Sequence, residues 1–275
     1  MNATELESLR TFLRKEFAML NSPQESNWVL KELEGLSSCE AHERAETIVS
    51  RRKKGEPLAY ILGHWDFRKL KLSVGPGVLI PRPETEELVQ IVLEYMERSA
   101  KKSFRVADLG AGSGAIAYSL VSEAKKEIEV IAVEKSHDAF FYLKKNLPAA
   151  FSKKIQLLNQ DWEAANLSDV DIIVSNPPYV SLFEMQNLDS SVKDYEPREA
   201  LLAGEHLGAS AAYESLIRIA KRSLNPGGAL FFEFGPAQDG IWDKLIPPNF
   251  QWKTYKDLSG KERILSAFDL SSKNR

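Results

Sequence analysis

The sequence is poor in cysteine, in histidine and in long apolar runs. Its single cysteine, Cys39, excludes an intramolecular disulfide framework and a cysteine-rich metal site. The histidines His42, His64, His137 and His206 stand at no ligand spacing, so we expect no metal. No apolar run approaches the roughly 18 residues that span a bilayer, and the first ten residues lack a signal-peptide pattern. These absences predict a cytoplasmic protein with no membrane partner.

An excess of positive charge is also absent. The chain has 36 Lys and Arg against 39 Asp and Glu, a formal net charge of −3. This balance is not typical of a nucleic-acid binder, and we expect no direct nucleic-acid partner. The basic run Arg51-Arg52-Lys53-Lys54 could contact RNA or an acidic protein face. Cations at a helix C-terminus are, however, favoured by the helix dipole and need no ligand.

The first part of the chain has helical periodicity. Apolar residues recur at three- and four-residue steps, at Leu6, Leu9, Phe12, Leu13, Phe17 and Leu20. Ser22-Pro23 predicts the start of a second helix that ends at Gly35, and Ser37 or Ser38 predicts the cap of a third. The segment 57–63 predicts a short further helix. We therefore predict a small all-α bundle as a first domain over residues 1–63.

The pattern changes to period two in residues 64–83. Apolar and polar residues alternate between 67 and 74, the turn sequence Gly75-Pro76-Gly77 follows, and Val78-Leu79-Ile80 comes after it. This predicts a β-hairpin linker whose turn lies at residues 75–77. Pro83 then predicts the start of a helix.

Strand-like and helical stretches alternate from residue 104. Strands are predicted at 104–109, 129–134, 154–159, 170–175 and 228–234, and helices at 115–124, 137–147 and 209–224. Short buried strands separated by helices indicate a mostly parallel sheet that is covered on both faces. Residues 251–258 and 263–268 are predicted to add an antiparallel pair. The fold class is therefore α/β and Rossmann-like, in a second domain over residues 84–275.

A glycine-rich turn, DLGAGSGA at residues 108–115, follows the first of these strands. Gly110, Gly112 and Gly114 allow close backbone approach to a ligand, and the helix N-terminus that follows offers free N–H groups. Glu134 ends the next strand, where a carboxylate can accept hydrogen bonds from ribose hydroxyls. The turn also satisfies the alanine-ended dinucleotide fingerprint, so a nicotinamide or flavin cofactor stays open on the turn alone.

Asp108, two residues before the first glycine, favours a different cofactor. A carboxylate at this place suits a cationic amine and repels a pyrophosphate. S-adenosylmethionine carries an ammonium group and a sulfonium centre but no phosphate. The turn together with Asp108 therefore predicts an S-adenosylmethionine site.

A second motif, Asn176-Pro177-Pro178-Tyr179, follows the strand predicted at 170–175. The two prolines cannot continue a central strand, so a stiff loop presents the Asn176 amide at the end of the sheet where such folds bind ligands. The Asn176 side-chain oxygen and the carbonyl between Pro177 and Pro178 are two acceptors that match one planar –NH2 group. Tyr179 can lie on the flat face of the group that is held.

This pair of acceptors suits methyl transfer to an amide nitrogen, which is a poor nucleophile because its lone pair is delocalised. Acceptors that bind the hydrogens more strongly as positive charge grows lower the barrier in the transition state. Positioning the nitrogen beside the methyl donor removes much of the entropic cost. Asn176, Pro177 and Tyr179 are accordingly our catalytic candidates.

Several segments together resemble one family. They are LIPRPETEELV (79–89), NPPYV (176–180), YEPREAL (195–201) and FFEFGPAQ (231–238), preceded by GEPLAYILGHWDF (55–67). The set is similar to the glutamine methyltransferases of peptide-chain release factors, the PrmC/HemK family, over roughly residues 55–268. Two positions depart from that family's pattern: Glu134 stands where aspartate is usual, and His206 where an acidic residue is common.

The resemblance implies a class I S-adenosylmethionine-dependent methyltransferase that acts on the glutamine of the Gly-Gly-Gln motif in release factors. We also expect a monomer whose N-terminal domain recognises the substrate. Cofactor contacts are implied at Gly110, Ala111, Gly112, Ser113, Gly114, Glu134, Trp162 and Asn176. The motif at 176–179 would hold the glutamine, and the segment from Arg82 to Glu86 would close over the site.

Alternatives remain open at this point. Trp162 would pack on adenine and Asp161 would accept from the adenine amine, but a partly buried tryptophan often has no ligand. Cys39 is more typical of a small core residue than of a nucleophile. DNA adenine also offers an –NH2 group to the two acceptors, and would require a basic base-flipping surface. A non-catalytic S-adenosylmethionine-binding partner protein would be expected to lack the Asn176 acceptor.

Overall fold

The computed structural model describes residues 1–203, 210–235, 238 and 240–270. Three of the predicted features lie outside the described residues. They are His206, residue 209 at the start of the helix predicted at 209–224, and Pro236-Ala237 of the segment 231–238. The chain divides into two compact units, Met1–Gly63 with Asp189–Tyr195, and His64–Leu188 with Glu196–Arg275. No helix in the described ranges has both the length and the apolar character needed to cross a membrane.

The helices and strands fall close to the predicted places. In chain order the helices are α1 (Ala3–Met19), α2 (Glu25–Glu32), α3 (Ser38–Lys53), α4 (Leu58–Leu62), α5 (Pro83–Arg98), α6 (Ala115–Glu123), α7 (His137–Asn146), α8 (Leu182–Gln186), α9 (Ser190–Lys193), α10 (Arg198–Leu201), α11 (Ser210–Ser223) and α12 (Trp242–Leu245). The strands are β1 (His64–Phe67), β2 (Leu70–Ser73), β3 (Ser103–Leu109), β4 (Glu127–Glu134), β5 (Ile155–Asn159), β6 (Val170–Ser175), β7 (Leu224–Glu233), β8 (Phe250–Lys256) and β9 (Glu262–Asp269).

The first unit is helical because its apolar residues lie on one face of each helix. Leu9, Leu13 and Phe17 of α1 are fully buried together with residues of α2 and α3. Ser37 caps α3 with a reciprocal pair of hydrogen bonds to Glu40, so the third predicted helix begins where Ser37 or Ser38 was expected to cap it.

The basic run at the end of α3 is paired within this unit. Arg51 donates to Glu56, Arg52 donates to Glu25 at 2.8 Å, and Lys53 lies 2.5 Å from Glu16. Partners of this kind agree with the helix-terminal interpretation of the cluster. Cys39 is exposed and is not the small core residue that we expected.

The second unit contains a seven-stranded sheet in the order β5-β4-β3-β6-β7-β9-β8. The pairings from β5 to β7 are parallel, and β9 is antiparallel to both β7 and β8. The predicted mostly parallel sheet with an antiparallel pair at its C-terminal end is confirmed.

Both faces of this sheet are covered, as the short apolar strands indicated. Val106 of β3 belongs to the cluster that includes Leu88 and Ile116, from α5 and α6. Its neighbour Ala107 belongs to the cluster on the other face, with Leu216 of α11. Successive residues of one strand thus enter opposite cores, because side chains alternate across a sheet.

The hairpin differs from the prediction. β1 pairs with β2, so the turn lies at Arg68-Lys69 rather than at residues 75–77, and Val78-Leu79-Ile80 is not a strand. Arg68 adopts a left-handed φ of 50°, and its backbone N–H donates to Glu86 at 2.9 Å. The Arg68 guanidinium donates to Glu123 at 2.7 Å and to the Glu86 carbonyl at 2.9 Å. These distant contacts hold a turn that the local sequence does not specify.

Arg68→Ala should therefore destabilise the protein. Removing a bidentate, mostly buried guanidinium leaves Glu123 with only the exposed Lys69 as a partner, and we expect the free energy of unfolding to fall by about 2 kcal/mol. The matched control is Lys69→Ala, whose side chain is 72% exposed although it lies 3.3 Å from Glu123. It should change stability by less than about 0.5 kcal/mol. Equal urea-unfolding midpoints for the two variants would contradict this account of the turn.

Candidate active site

The glycine-rich turn connects β3 to α6 at the carboxyl edge of the sheet. Gly110, Gly112 and Gly114 have φ values of 76°, 55° and 87°, a region that side chains with a Cβ rarely adopt. The N–H groups of Gly110 and Ala111 both donate to the Val133 carbonyl, at 2.8 and 3.0 Å. The turn is thus tied to β4, and Gly114 forms the N-terminal cap of α6.

Glu134 ends β4 beside this turn and lies on the wall of the cavity described below. One carboxylate oxygen accepts from the Gly112 N–H at 2.9 Å and the other from the Ser136 N–H at 2.8 Å. Burial raises the pKa of the Glu134 carboxyl, and these backbone hydrogen bonds oppose the rise. Each oxygen keeps a further lone pair, so the group can still accept from ligand hydroxyls.

Asp108 lies beneath the turn and is not on the cavity wall. It is fully buried, and one oxygen accepts from the Ala117 N–H at 3.0 Å in the first turn of α6. The other oxygen has no hydrogen-bond partner in the described part of the chain. Burial raises the pKa of Asp108 to about 7, and the charge of Glu134 adds to the rise.

Trp162 forms a wall of the cavity opposite the turn. Its six-membered ring lies 3.2 Å from where a Cβ on Gly110 would stand, and this close approach adds to the backbone strain that any side chain would have at the Gly110 φ of 76°. The indole N–H donates to Ser215 at 3.0 Å, and Ser215 donates to Glu163 at 2.5 Å. Asp161 also lines the cavity and accepts from the Glu163 N–H at 2.9 Å. The Trp162 ring, which lines the cavity, is therefore held at its indole N–H by Ser215.

The cavity has a volume of about 940 Å³. Its wall runs from the glycine-rich turn to Asn176 and Pro178 at the end of β6. Cavities of this size accommodate a nucleoside-sized ligand together with a second group. The predicted residues that line it are Arg82, Gly110, Ala111, Gly112, Ser113, Glu134, Asp161, Trp162, Asn176 and Pro178.

The register of the sheet explains why the two motifs meet. Asp108 of β3 pairs with Val174 of β6, so the turn after β3 and the loop after β6 leave the same edge of the sheet. Ser175 donates from its hydroxyl to the Leu109 carbonyl at 2.6 Å and fixes this end of β6. The predicted placement of Asn176 beside the glycine-rich turn is confirmed.

Asn176 is half-buried, and its side-chain nitrogen donates to the Thr85 hydroxyl at 2.9 Å. Thr85 in turn donates to Glu233 at 2.7 Å, and Glu233 also accepts from the Tyr179 hydroxyl at 2.9 Å. The Tyr179 carbonyl accepts from Gln238 at 3.0 Å. The loop after β6 is thus anchored through both its side chains and its backbone.

Some predicted residues do not reach the cavity wall. Pro177 is buried, and Tyr179 places its ring 3.1 Å from where a Cβ on Gly235 would stand. Burial raises the pKa of the Tyr179 hydroxyl, and its contact with Glu233 adds to the rise. Glu86 is engaged by the Arg68 N–H at the hairpin.

The partners that hold the predicted residues, namely Glu196, Thr85 and Glu233, had no individually predicted role. Arg82 lines the cavity, and its Nη2 donates to the Glu196 carboxylate. Glu196 also accepts from the Ile80 N–H at 3.0 Å. Glu196, Thr85 and Glu233 all lie inside the segments that carry the resemblance. Glu233 carried a signal, because a carboxylate inside the apolar run GALFFEF must find partners when it is buried. Its partners are far away in sequence and gave no signal.

Comparison with solved structures identifies the fold. A 16S rRNA N2 G1207 methyltransferase from T. thermophilus, solved with AdoMet and guanosine, matches with a TM-score of 0.54 at 23% identity, over 75% of this chain and 49% of that one. The putative methyltransferase yhhF from Escherichia coli matches with a TM-score of 0.53 at 16% identity, over 76% of this chain and 100% of that one. A family model described as "Methyltransferase small domain" matches residues 84–189. The fold is that of the class I S-adenosylmethionine-dependent methyltransferases.

Sequence relatives define the family. Proteins named release factor glutamine methyltransferase from Bacteroides thetaiotaomicron and Lactococcus lactis are 35% and 38% identical. They cover 84% and 80% of this chain and 82% and 80% of their own lengths. A relative of the same name from Salmonella typhimurium is 38% identical over 79% of this chain and 77% of its own length. The chain belongs to the release factor glutamine methyltransferase family.

Proposed function

We propose that this protein transfers a methyl group from S-adenosylmethionine to the side-chain amide nitrogen of the glutamine in the Gly-Gly-Gln motif of peptide-chain release factors. This methylation modulates translation termination. The protein acts in the cytoplasm as a monomer, without direct contact to nucleic acid. The observation that carries the proposal is the Asn176 amide, which is anchored through Thr85 beside a glycine-rich turn. Family membership supports this function over DNA adenine methylation and over non-catalytic binding.

The residues of the cavity fit S-adenosylmethionine. When bound, this cofactor supplies an electrophilic methyl group on a sulfonium. The backbone at residues 110–114 is suited to its amino-acid part, because a carboxylate can approach the N–H groups at the start of α6. Glu134 would accept from the ribose hydroxyls, Trp162 would pack on the adenine and Asp161 would accept from the adenine amine. Asp108 supports this end of the site from beneath, by holding the start of α6 through Ala117.

The chain's own residues act on the glutamine amide. Asn176 Oδ1 accepts one of its two N–H groups. The carbonyl of Pro177 accepts the other, because this carbonyl belongs to the peptide bond with the cavity-wall residue Pro178 although the Pro177 ring is buried. As the N–C bond forms, the bond between the methyl carbon and the sulfonium sulfur would break, and its electron pair would leave with the sulfur as a neutral thioether. The amide nitrogen becomes positive, and these acceptors bind its hydrogens more strongly. One N–H proton then passes to solvent water, which leaves the methylated amide neutral. Arg82, held by Glu196, borders the cavity, and the segment it begins closes over the bound side chain.

The helical first unit is the natural candidate for recognising the rest of the release factor. The reaction requires one glutamine of a folded protein to be selected among many, and the cavity can accommodate only a side chain. Additional contacts with the substrate protein must therefore lie outside the cavity. We assign them to the unit that carries none of the cavity residues.

The test is transfer of a labelled methyl group from S-adenosylmethionine to a purified release factor. Label should appear on the wild-type factor and not on a factor whose Gly-Gly-Gln glutamine is replaced by alanine. Duplex DNA should take up no label. Equal labelling of both factors, or labelling of adenine in DNA, would reject the proposal.

Glu134→Gln is expected to weaken cofactor binding on the order of tenfold. The Glu134 carboxylate accepts from the N–H groups of Gly112 and Ser136, and a glutamine amide in its place must turn its –NH2 towards one of these two donors. The amide oxygen is also a weaker acceptor than a carboxylate for ribose hydroxyls. The control is Glu129→Gln, an exposed carboxylate on the same strand β4. Isothermal titration with S-adenosylmethionine measures both. An unchanged dissociation constant for Glu134→Gln would remove Glu134 from the cofactor site.

A further inference from the structure

Glu233 is the most deeply buried charged group next to the catalytic loop, and no step of the proposed reaction uses it. It ends β7 and is 1% exposed. Its neighbouring strand β6 ends at Ser175, which pairs with Phe232. Glu233 therefore lies directly behind the loop that carries Asn176.

Two hydroxyl groups donate to the two oxygens of Glu233. Thr85 donates to Oε2 at 2.7 Å, and Tyr179 donates to Oε1 at 2.9 Å. Burial raises the pKa of the Glu233 carboxyl, and the hydrogen bonds from Thr85 and Tyr179 and the charge of Arg263 oppose the rise. In its ionised form this carboxylate can only accept, and each hydroxyl has a single hydrogen. The hydrogens of both hydroxyls are therefore committed to Glu233.

This commitment determines how the Asn176 amide is oriented. The Thr85 oxygen has no hydrogen left to donate, so it can only accept from the group 2.9 Å away on Asn176. That group must be the –NH2, and the oxygen of the same amide must lie on the other side. Asn176 Oδ1 accepts from no residue in the described ranges and is left for a ligand.

We propose that Glu233 is a positioning residue, which acts through Thr85 to hold the Asn176 amide with its oxygen, and not its –NH2, towards the substrate. The inference rests on the proposed role of Asn176 as an acceptor for an amide nitrogen. A carboxylate is required because a neutral group in its place would itself donate to one hydroxyl. The released hydrogen of Thr85 could then point at Asn176 and favour the reversed amide. With the amide reversed, the –NH2 group of Asn176 would face the –NH2 group of the substrate glutamine, and neither could accept from the other.

The variants that test this are Thr85→Val, Thr85→Ser and Glu233→Gln. Thr85→Val keeps the shape and removes the hydroxyl, while Thr85→Ser keeps the hydroxyl. Thr85→Val and Glu233→Gln should lower kcat for a release factor on the order of tenfold, with cofactor affinity unchanged. Thr85→Ser should retain most of the wild-type kcat. Thr254→Val makes the same substitution on β8, and should have no effect.

A double-mutant cycle separates positioning from a general structural effect. In an Asn176→Ala background there is no amide to orient, so adding Thr85→Val should cause no further loss of kcat. An equal loss in both backgrounds would overturn the proposal, because Thr85 would then act by another route. Full activity of Thr85→Val would overturn it as well.

A third measurement does not depend on turnover. In protein labelled with nitrogen-15 at asparagine, one side-chain amide proton of Asn176 should exchange slowly with solvent, because it is bonded to Thr85. The exchange should become fast in Glu233→Gln. Two equally fast protons in the wild type would contradict the orientation, even if methyl transfer were confirmed. Slow exchange without methyl transfer would support the orientation and reject the proposed function.

Discussion

Asn176→Ala is expected to lower kcat for release-factor methylation by about a hundredfold or more, with cofactor affinity changed little. Removing one preorganised polar group that stabilises developing charge typically costs 10²–10³ in kcat. The Asn176 oxygen is preorganised because its amide is held by Thr85, which is itself held by Glu233. Alanine leaves only the Pro177 carbonyl to bind the amide hydrogens.

The matched control is Asn249→Ala. Asn249 is exposed and donates to Asp269 at 3.1 Å, so its loss removes an asparagine hydrogen bond away from the cavity. Single-turnover rates with saturating S-adenosylmethionine measure the effect on the chemical step. If Asn176→Ala turns over at the wild-type rate, the acceptor role of this residue is wrong whatever the substrate.

Gly114→Ala is expected to abolish most cofactor binding and to lower the free energy of unfolding by about 3 kcal/mol. A Cβ on Gly114 would lie 2.1 Å from the ring of Tyr118, and the backbone φ of 87° adds strain for any side chain. Tyr118 cannot move away easily, because it is fully buried and its hydroxyl donates to the Leu143 carbonyl. The turn must therefore shift, and the N–H groups at the start of α6 shift with it.

Gly260→Ala separates backbone strain from collision. Gly260 has a similar φ of 81°, but a Cβ there would have no heavy atom within 4 Å. Its stability should fall by about 1 kcal/mol, with unchanged affinity for S-adenosylmethionine. Thermal unfolding and titration calorimetry of both variants provide the comparison. Equal losses of affinity would show that the collision with Tyr118 is not what shapes the turn.

The sequence predicted those parts of the fold that local patterns determine. The alternation of apolar strands and helices, the glycine-rich turn and the paired prolines each act over a few residues, and all of them lie where expected. The sheet register then brings the ends of β3 and β6 together, as parallel strands of such folds do. The fold class and the place of the cavity could therefore be predicted.

The remainder depends on residues that are far apart in sequence. The hairpin turn lies at Arg68 because Glu86 and Glu123 hold it, although Gly75-Pro76-Gly77 has the better local turn sequence. Thr85 and Glu233 meet across 148 residues, so no local pattern could indicate that they orient Asn176.

Asp108 illustrates the same difficulty within one motif. Its position in the turn suggested a direct contact with a cationic ligand, whereas its side chain points to the Ala117 N–H and is fully buried. Sequence position establishes that a carboxylate is present at the end of β3. Only the packing of α6 against the sheet determines which way the carboxylate faces.

The most direct measurement is fragmentation mass spectrometry of the Gly-Gly-Gln peptide after a release factor has reacted with this protein and methyl-labelled S-adenosylmethionine. The account predicts one labelled methyl group on the side-chain nitrogen of that glutamine, and none in a reaction with Asn176→Ala stopped at the same early time. A methyl group on another residue or on the peptide backbone, or an unmodified glutamine after complete incubation with the wild-type protein, would contradict it.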